Sequence, residues 1–278
     1  MSYLGTTQTL FVKEVSNEGA YLDGHDLGEV FLPKSEIKDE LEAGDSISVF
    51  IYLDNANLPT ATVKKPHAQV GEYALLRVKE INSIGAFLDW GLEKDVLAPF
   101  NEQKPRMQEG HSYLVRLYLD NASQRICAST NFNRFLSKDE PEYTNLQEVD
   151  LIVAGKTDIG YKVLIEESHF GVVFYNMVFK NLFVGQKLKG FVKKVREDGK
   201  IDVVLEKPGM GKVSELGDKI MEKLKNEGGI LAIGDKSDPE LIKKVFSTSK
   251  ANYKKAIGGL FKQELIEIEA KSIRLKSK

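Results

Sequence analysis

The chain repeats itself at a fixed offset of 66 residues, and this register constrains its fold more than any other feature. Gly5, Leu10, Val12-Lys13-Glu14, Gly19-Ala20, Leu22-Asp23, Val30, Pro33, Gly44 and the run Tyr52–Ala56 recur as Gly71, Leu76, Val78-Lys79-Glu80, Gly85-Ala86, Leu88-Asp89, Val96, Pro99, Gly110 and Tyr118–Ala122. These residues keep their register without a gap. A repeat of this length is a complete small domain rather than a turn of a solenoid, so the chain is an array of modules.

Each module reads as all-β. In the first copy Leu10–Val15, Ala20–Asp23, Glu29–Leu32, Ser46–Leu53 and Thr60–Val63 are short strand patterns separated by turn residues, with one longer connection at Lys34–Ala43. Five such strands fit a small Greek-key barrel. The Gly19-Ala20 pair suits a sharply bent, closely packed barrel corner. A third, divergent copy follows, with Asp150–Ala154, Gly160–Leu164, Gly171–Tyr175, Gln186–Val195 and Lys200–Leu205 in the same order. Its last two strands are joined by the hairpin signal Arg196–Gly199.

The tail changes character. A helix is expected from a Ser214 cap to Asn226, with Leu216, Ile220, Met221 and Leu224 on its buried stripe. Ile230–Ile233 reads as a strand, and Asp238-Pro239 starts a second helix that runs to Phe246. A third helix spans Lys250–Lys262, with Tyr253, Ile257, Leu260 and Phe261 inward. Leu265–Ile268 and Ser272–Leu275 form a terminal hairpin. That order is the order of a winged helix. The expected divisions are barrels at 1–66, 67–131 and 147–206, a connector at 132–146, and the winged-helix domain at 207–278.

Gly19–Asp23 and Gly85–Asp89 resemble the glycine-alanine-aromatic core of the S1 RNA-binding domain, an OB-fold barrel. The similarity continues through Val30-Phe31-Leu32 and Val96-Leu97-Ala98, through Asp54 and Asp120, and through the Arg125–Ser129 ending. Three S1-like barrels followed by a winged helix resemble the conserved virulence factor B family of bacterial regulators over nearly the whole chain. The resemblance implies a mainly β protein: three tandem S1/OB-fold five-stranded barrels, then an α+β winged-helix domain. It also implies an RNA-binding, post-transcriptional regulator without a catalytic site.

Charge sorts the modules. Residues 1–145 carry 14 Lys and Arg against 22 Asp and Glu, residues 146–206 carry 9 against 9, and residues 207–278 carry 16 against 10. The positive field that attracts a polyanion therefore belongs to the C-terminal part. In the third copy, Lys187, Lys189, Lys193, Lys194 and Arg196 line the fourth strand and its turn. Tyr161, Lys162, Phe174 and Tyr175 fall on the two strands that form the usual OB platform. Basic groups interleaved with aromatics match single-stranded or unpaired RNA, where each base offers a stacking face and each phosphate a charge. In the winged helix, Lys250, Asn252, Lys254 and Lys255 lie on the exposed side of the third helix. Lys250, Lys254, Lys255 and the hairpin residues Lys271 and Arg274 are the expected phosphate contacts. Tyr21, Phe31 and Phe87 are either barrel core or weaker stacking positions. The acidic first two barrels serve as protein-binding or spacing elements. The residues leave open a protein-interaction scaffold and a DNA-binding transcription regulator as alternatives.

Chemistry is poorly supported. His25, His67, His111 and His169 are scattered at spacings that match no metal or triad pattern. Gly209-Met210-Gly211-Lys212 lacks the full phosphate-loop spacing and reads as a linker. No metal or cofactor is called for. The single cysteine, Cys127, reads as buried strand filler and suits a reducing cytoplasm. No apolar run long enough to span a membrane occurs.

Overall fold

The computed structural model describes residues 3–178, 181–206 and 215–276. Strands β1 (Thr7–Val15), β2 (Gly19–Asp23), β3 (Glu29–Pro33), β4 (Ser46–Leu53) and β5 (Pro59–Thr62) close into a barrel in the order β1-β2-β3-β5-β4. The second barrel repeats that order with β6 (Tyr73–Ile81), β7 (Gly85–Asp89), β8 (Val96–Pro99), β9 (Ser112–Leu119) and β10 (Ile126–Ser129). The third uses β11 (Glu148–Lys156), β12 (Gly160–Ile165), β13 (His169–Phe174), β14 (Lys187–Val195) and β15 (Ile201–Val204). In all three the third strand runs parallel to the fifth.

The 66-residue register is the register of the barrel interior. Leu10, Val12, Ala20, Leu22, Val30, Leu32, Val49 and Ile51 are buried in the first barrel, and Leu76, Val78, Ala86, Leu88, Val96, Ala98, Val115 and Leu117 are buried in the second. Leu53 pairs with Pro59, but Leu119 pairs with Ile126, so the last strand of the second barrel has slipped one residue further along. The repeated Val-Lys-Glu marks a β-bulge: the strand register shifts between Val12 and Glu14, and again between Val78 and Glu80. A bulge bends and twists the first strand where the barrel must curve.

Closure depends on glycine at the start of the second strand. A Cβ on Gly19, Gly85 or Gly160 would collide with the backbone carbonyl oxygen of Leu32, Ala98 or Val173, respectively. Only a hydrogen lets the two strands approach this closely.

The first two barrels lie in one compact unit. Strand alternation points Phe50 away from its own barrel, yet it is only 2% exposed because the second barrel covers it. Its ring meets Trp90 edge-on at 5.5 Å. Trp90 Nε1 donates to the Lys94 carbonyl at 2.5 Å, and Lys94 Nζ donates to the carbonyl oxygens of Leu53 and Asp54 at 2.9 and 2.6 Å. The first copy has Gly24 and Gly28 where the second has Trp90 and Lys94, so the joint is built from residues that break the repeat.

On the second barrel, Arg116 stands where the first has Phe50. Its guanidinium lies 4.9 Å from the Tyr73 ring and 5.3 Å from that of Phe135. The connector covers this face and contains a single 3-10 turn, Phe132–Arg134. Arg134 pairs with the buried carboxylate of Glu102, which also accepts from Ser129 Oγ at 2.5 Å. Cys127 is buried, and burial pushes its thiol up to about 11, so it stays protonated.

The C-terminal domain contains α1 (Glu215–Asn226), β16 (Ile230–Leu231), α2 (Pro239–Phe246), α3 (Lys250–Lys262), β17 (Ile266–Ile268) and β18 (Ile273–Leu275), with sheet order β16-β18-β17. Ser214, the expected cap of α1, lies outside the described residues. The Asp238 carboxylate accepts from Glu240 N at 2.7 Å, and Ser249 Oγ accepts from Asn252 N at 3.2 Å, capping α2 and α3. Tyr253, Ile257 and Leu260 are buried, whereas Phe261, expected inward, is 53% exposed. At about 100° per residue Phe261 sits roughly 80° from Tyr253 and about 40° beyond Ile257, past the edge of the buried stripe. No helix among the described residues is long and apolar enough to cross a membrane.

Replacing Phe50 with Ala should cost about 3–5 kcal/mol by opening a cavity at the joint. Gly85→Ala should cost about 1–3 kcal/mol through overpacking. Guanidinium unfolding followed by Trp90 fluorescence checks both; an unchanged midpoint for either variant would contradict the corresponding contact.

Candidate nucleic-acid interface

The phase of the second strand decides which side chains each barrel shows to solvent. Ala20, Ala86 and Tyr161 follow the tight glycine and point inward, so the next residue in each copy points outward. Those outward residues are Tyr21, Phe87 and Lys162. Tyr21 faces Phe31 directly across the strand pair with ring centroids 5.3 Å apart, and both are half-buried on the outer surface rather than in the core. Phe87 faces Leu97 in the same way.

On the third barrel, one transverse row crosses four strands. Lys162 pairs with Val172, Val172 with Asp202, and Asp202 with Lys194. Phe170 and Phe174 lie two residues either side of Val172 on β13, so all three share its outer face. Lys162 Nζ sits 3.5 Å from the Phe170 ring centroid, and the Arg196 guanidinium is 5.8 Å from that of Phe174. Burial against this apolar surface holds the Lys162 ammonium below the usual lysine range.

The structure corrects several expectations here. Tyr161 is 5% exposed and turned inward, its ring meeting Tyr175 edge-on at 5.2 Å. The third barrel fills with a tyrosine the interior position that the other two fill with alanine. Tyr175 is exposed, but it belongs to the 3-10 turn after β13 and donates its hydroxyl to the Thr157 carbonyl at 2.8 Å. Arg196 is already committed: Nε lies 3.0 and 3.2 Å from the two Asp202 oxygens, and Nη2 lies 2.8 Å from Oδ1. Lys189 pairs with Asp150 at 2.7 Å.

Lys187, Lys193 and Lys194 are exposed and form no ion pair among the described residues. Lys193 is the extra residue of a β-bulge between Val192 and Lys194. The bulge ends the simple alternation that would have placed Lys189, Phe191 and Lys193 on one face. Phe170, Val172 and Asp202 were missed, although counting back by twos from Phe174 reaches Val172 and Phe170.

In the winged helix, Asn252, Lys254 and Lys255 are exposed on α3, and Lys250 is half-buried in its first turn. Lys254 pairs with Asp235 at 3.5 Å. In the hairpin, Arg274 pairs with Glu269 at 3.2 Å, whereas Lys271 is exposed. Lys243 and Lys244, in the last turn of α2, are two further exposed cations that the motif reading passed over.

Residues 4–64 and 70–131 each match the S1 domain family, and residues 218–275 match the CvfB-like winged helix domain. The chain is 28% identical to conserved virulence factor B of Staphylococcus haemolyticus, over 96% of this chain and 93% of that protein. It is also 28% identical to YitL of Bacillus subtilis, over 93% and 89% of the two chains. A crystal structure of a multidomain protein with nucleic acid binding domains from Streptococcus pneumoniae aligns over 99% of both chains, with 24% identity and a TM-score of 0.42.

The burial of Lys162 has a measurable consequence. Its lowered pKa means the unfolded chain binds more protons, so this residue's contribution to stability improves as pH rises from neutral toward the ordinary lysine value of about 10.4. Thermal unfolding of wild type and Lys162→Met between these limits should show the wild type gaining on the variant. A pH-independent difference would contradict the burial.

Proposed function

We propose that this protein, which belongs to the conserved virulence factor B family, is a non-enzymatic RNA-binding regulator. It grips single-stranded or unpaired RNA through the outer platform of its third barrel and the α3 surface of its winged helix. The observation that carries this reading is the outer face of β12 and β13, where Lys162, Phe170, Val172 and Phe174 form an apolar floor edged by the unpaired Lys194. Bases stack on such a floor irrespective of sequence, and lysines follow the phosphates.

The ion pairs divide the labour. Asp202 holds Arg196 in place over Phe174, which makes the guanidinium a fixed planar surface rather than a free charge. Lys193 and Lys194 supply the mobile charge. On the winged helix, Lys250, Lys255 and Lys271 do the same, while Arg274 is neutralised by Glu269. Lysine without arginine on α3 supports phosphate contact rather than base reading. The protein acts by occupancy in the cytoplasm, altering the fate or translation of a transcript.

Titration of a fluorescent single-stranded oligoadenylate with the full chain at several salt concentrations tests this. Lys193→Gln with Lys194→Gln should reduce the slope of log K against log salt by about 1.4, at about 0.7 per lost phosphate contact. Phe174→Ala should cost about 1–3 kcal/mol at fixed salt. Arg274→Gln should change little. Tighter binding to duplex DNA than to the oligonucleotide would move the function to transcriptional control, and no binding to either at low salt would defeat the proposal.

A further inference from the structure

We infer that the cleft where the first two barrels meet is a docking site for a protein segment that presents one aromatic side chain beside a basic residue. Part of it is a pocket of about 150 Å³, mostly apolar, whose lining includes Tyr52 and Leu53 from the end of β4, Phe87, Trp90 and Ile126 from the second barrel, and one arginine, Arg125. An apolar cavity of about that size takes a benzene-sized ring. The walls are preformed, because Phe50 and the Lys94 carbonyl fix Trp90, while Lys94 itself is fastened to the end of β4.

The pocket opens into a groove of about 620 Å³ whose lining includes Asp54, Glu80, Glu93 and Asp95. Lys94 is the one basic residue lining this groove, and its ammonium already serves two backbone carbonyls. Lys64 and Lys79 reach Glu93 and Asp95 from outside the lining, whereas Glu80 forms no ion pair among the described residues. A phosphate chain would meet four carboxylates at this mouth. A peptide's ammonium or guanidinium group would find partners there. Charge therefore favours protein over RNA, although Phe87 sits on a platform strand.

The chain already fills the corresponding surface of its second barrel in this way. Tyr118 stands where the first barrel has Tyr52, and the connector lays Phe135 against it at 5.5 Å. The neighbouring Arg134 pairs with Glu102, the counterpart of Glu36 beside Tyr52. An aromatic next to a basic residue is thus the pairing this surface accepts within the molecule. Beside Tyr52, Lys64 takes Glu36 at 3.2 Å, so the chain supplies the cation there, but no aromatic ring pairs with Tyr52 among the described residues and the cleft stays open.

Trp90 is the protein's single tryptophan and a wall of the cleft, so its emission reports occupancy. The probe is a synthetic peptide with the connector sequence of residues 130–138, titrated into the full chain. A saturable shift of Trp90 emission is expected. Affinity should fall about tenfold when the peptide's Phe135 is replaced by Ala. It should fall about threefold when the protein carries Glu80→Lys, an exposed change that leaves the fold intact. Single-stranded oligoadenylate should neither shift the emission nor compete. The inference is overturned if the peptide gives no saturable response up to millimolar concentration, if an Arg134→Glu peptide binds equally well, or if oligoadenylate displaces the peptide.

Discussion

Everything on the surfaces of the three barrels depends on one close approach, that of the first residue of the second strand to a carbonyl on the third. Gly19, Gly85 and Gly160 hold this position, and a Cβ at any of them would strike the backbone opposite. The contact locks the second strand in phase. Once the phase is fixed, the residue after the glycine points in and the one after that points out. A single steric constraint therefore decides that Tyr21, Phe87 and Lys162 are surface residues and that Tyr161 is not.

The copies then differ in how they use the outer face of the fourth strand. In the first barrel Phe50 projects into the second and is buried there. In the second, Arg116 occupies the equivalent place and is sandwiched by Tyr73 and Phe135. In the third, the strand register places Lys194 where the others have Tyr52 and Tyr118. The outer face of one strand thus makes an inter-barrel joint, a connector clamp and, at the neighbouring outward position, an exposed cation. Burial of a ring is favourable wherever a partner surface is available, whereas an unpaired ammonium is tolerated only in water.

Local ion pairs reshape the electrostatics that the charge count suggests. Arg196, Lys189, Lys254 and Arg274 each have a carboxylate partner, so four of the eleven basic candidates are already paired. Such exposed pairs contribute little to stability, about 0–1 kcal/mol each. Their effect is to concentrate the available positive charge on Lys187, Lys193 and Lys194 and on the unpaired lysines of the winged helix. The surface of unpaired positive charge among the described residues is consequently narrower than the basic composition of the C-terminal half implies.

The sequence by itself determined the modular architecture, the strand order and the helices of the last domain. Those follow from local pattern: an exact spacing of core residues, turn glycines, and caps such as Asp238 and Ser249. It also located β12 and β13 of the third barrel, because strand pattern and turn glycines are local properties. It could not place Tyr161 or Phe261, since each sits at the edge of a pattern whose inward direction is set by a partner element. It could not show that Phe50 is buried by a neighbouring barrel, or that Asp202 takes Arg196. Those outcomes were decided only by the tertiary structure, because burial and charge pairing depend on which surfaces distant segments bring together, and that information is not periodic along the chain.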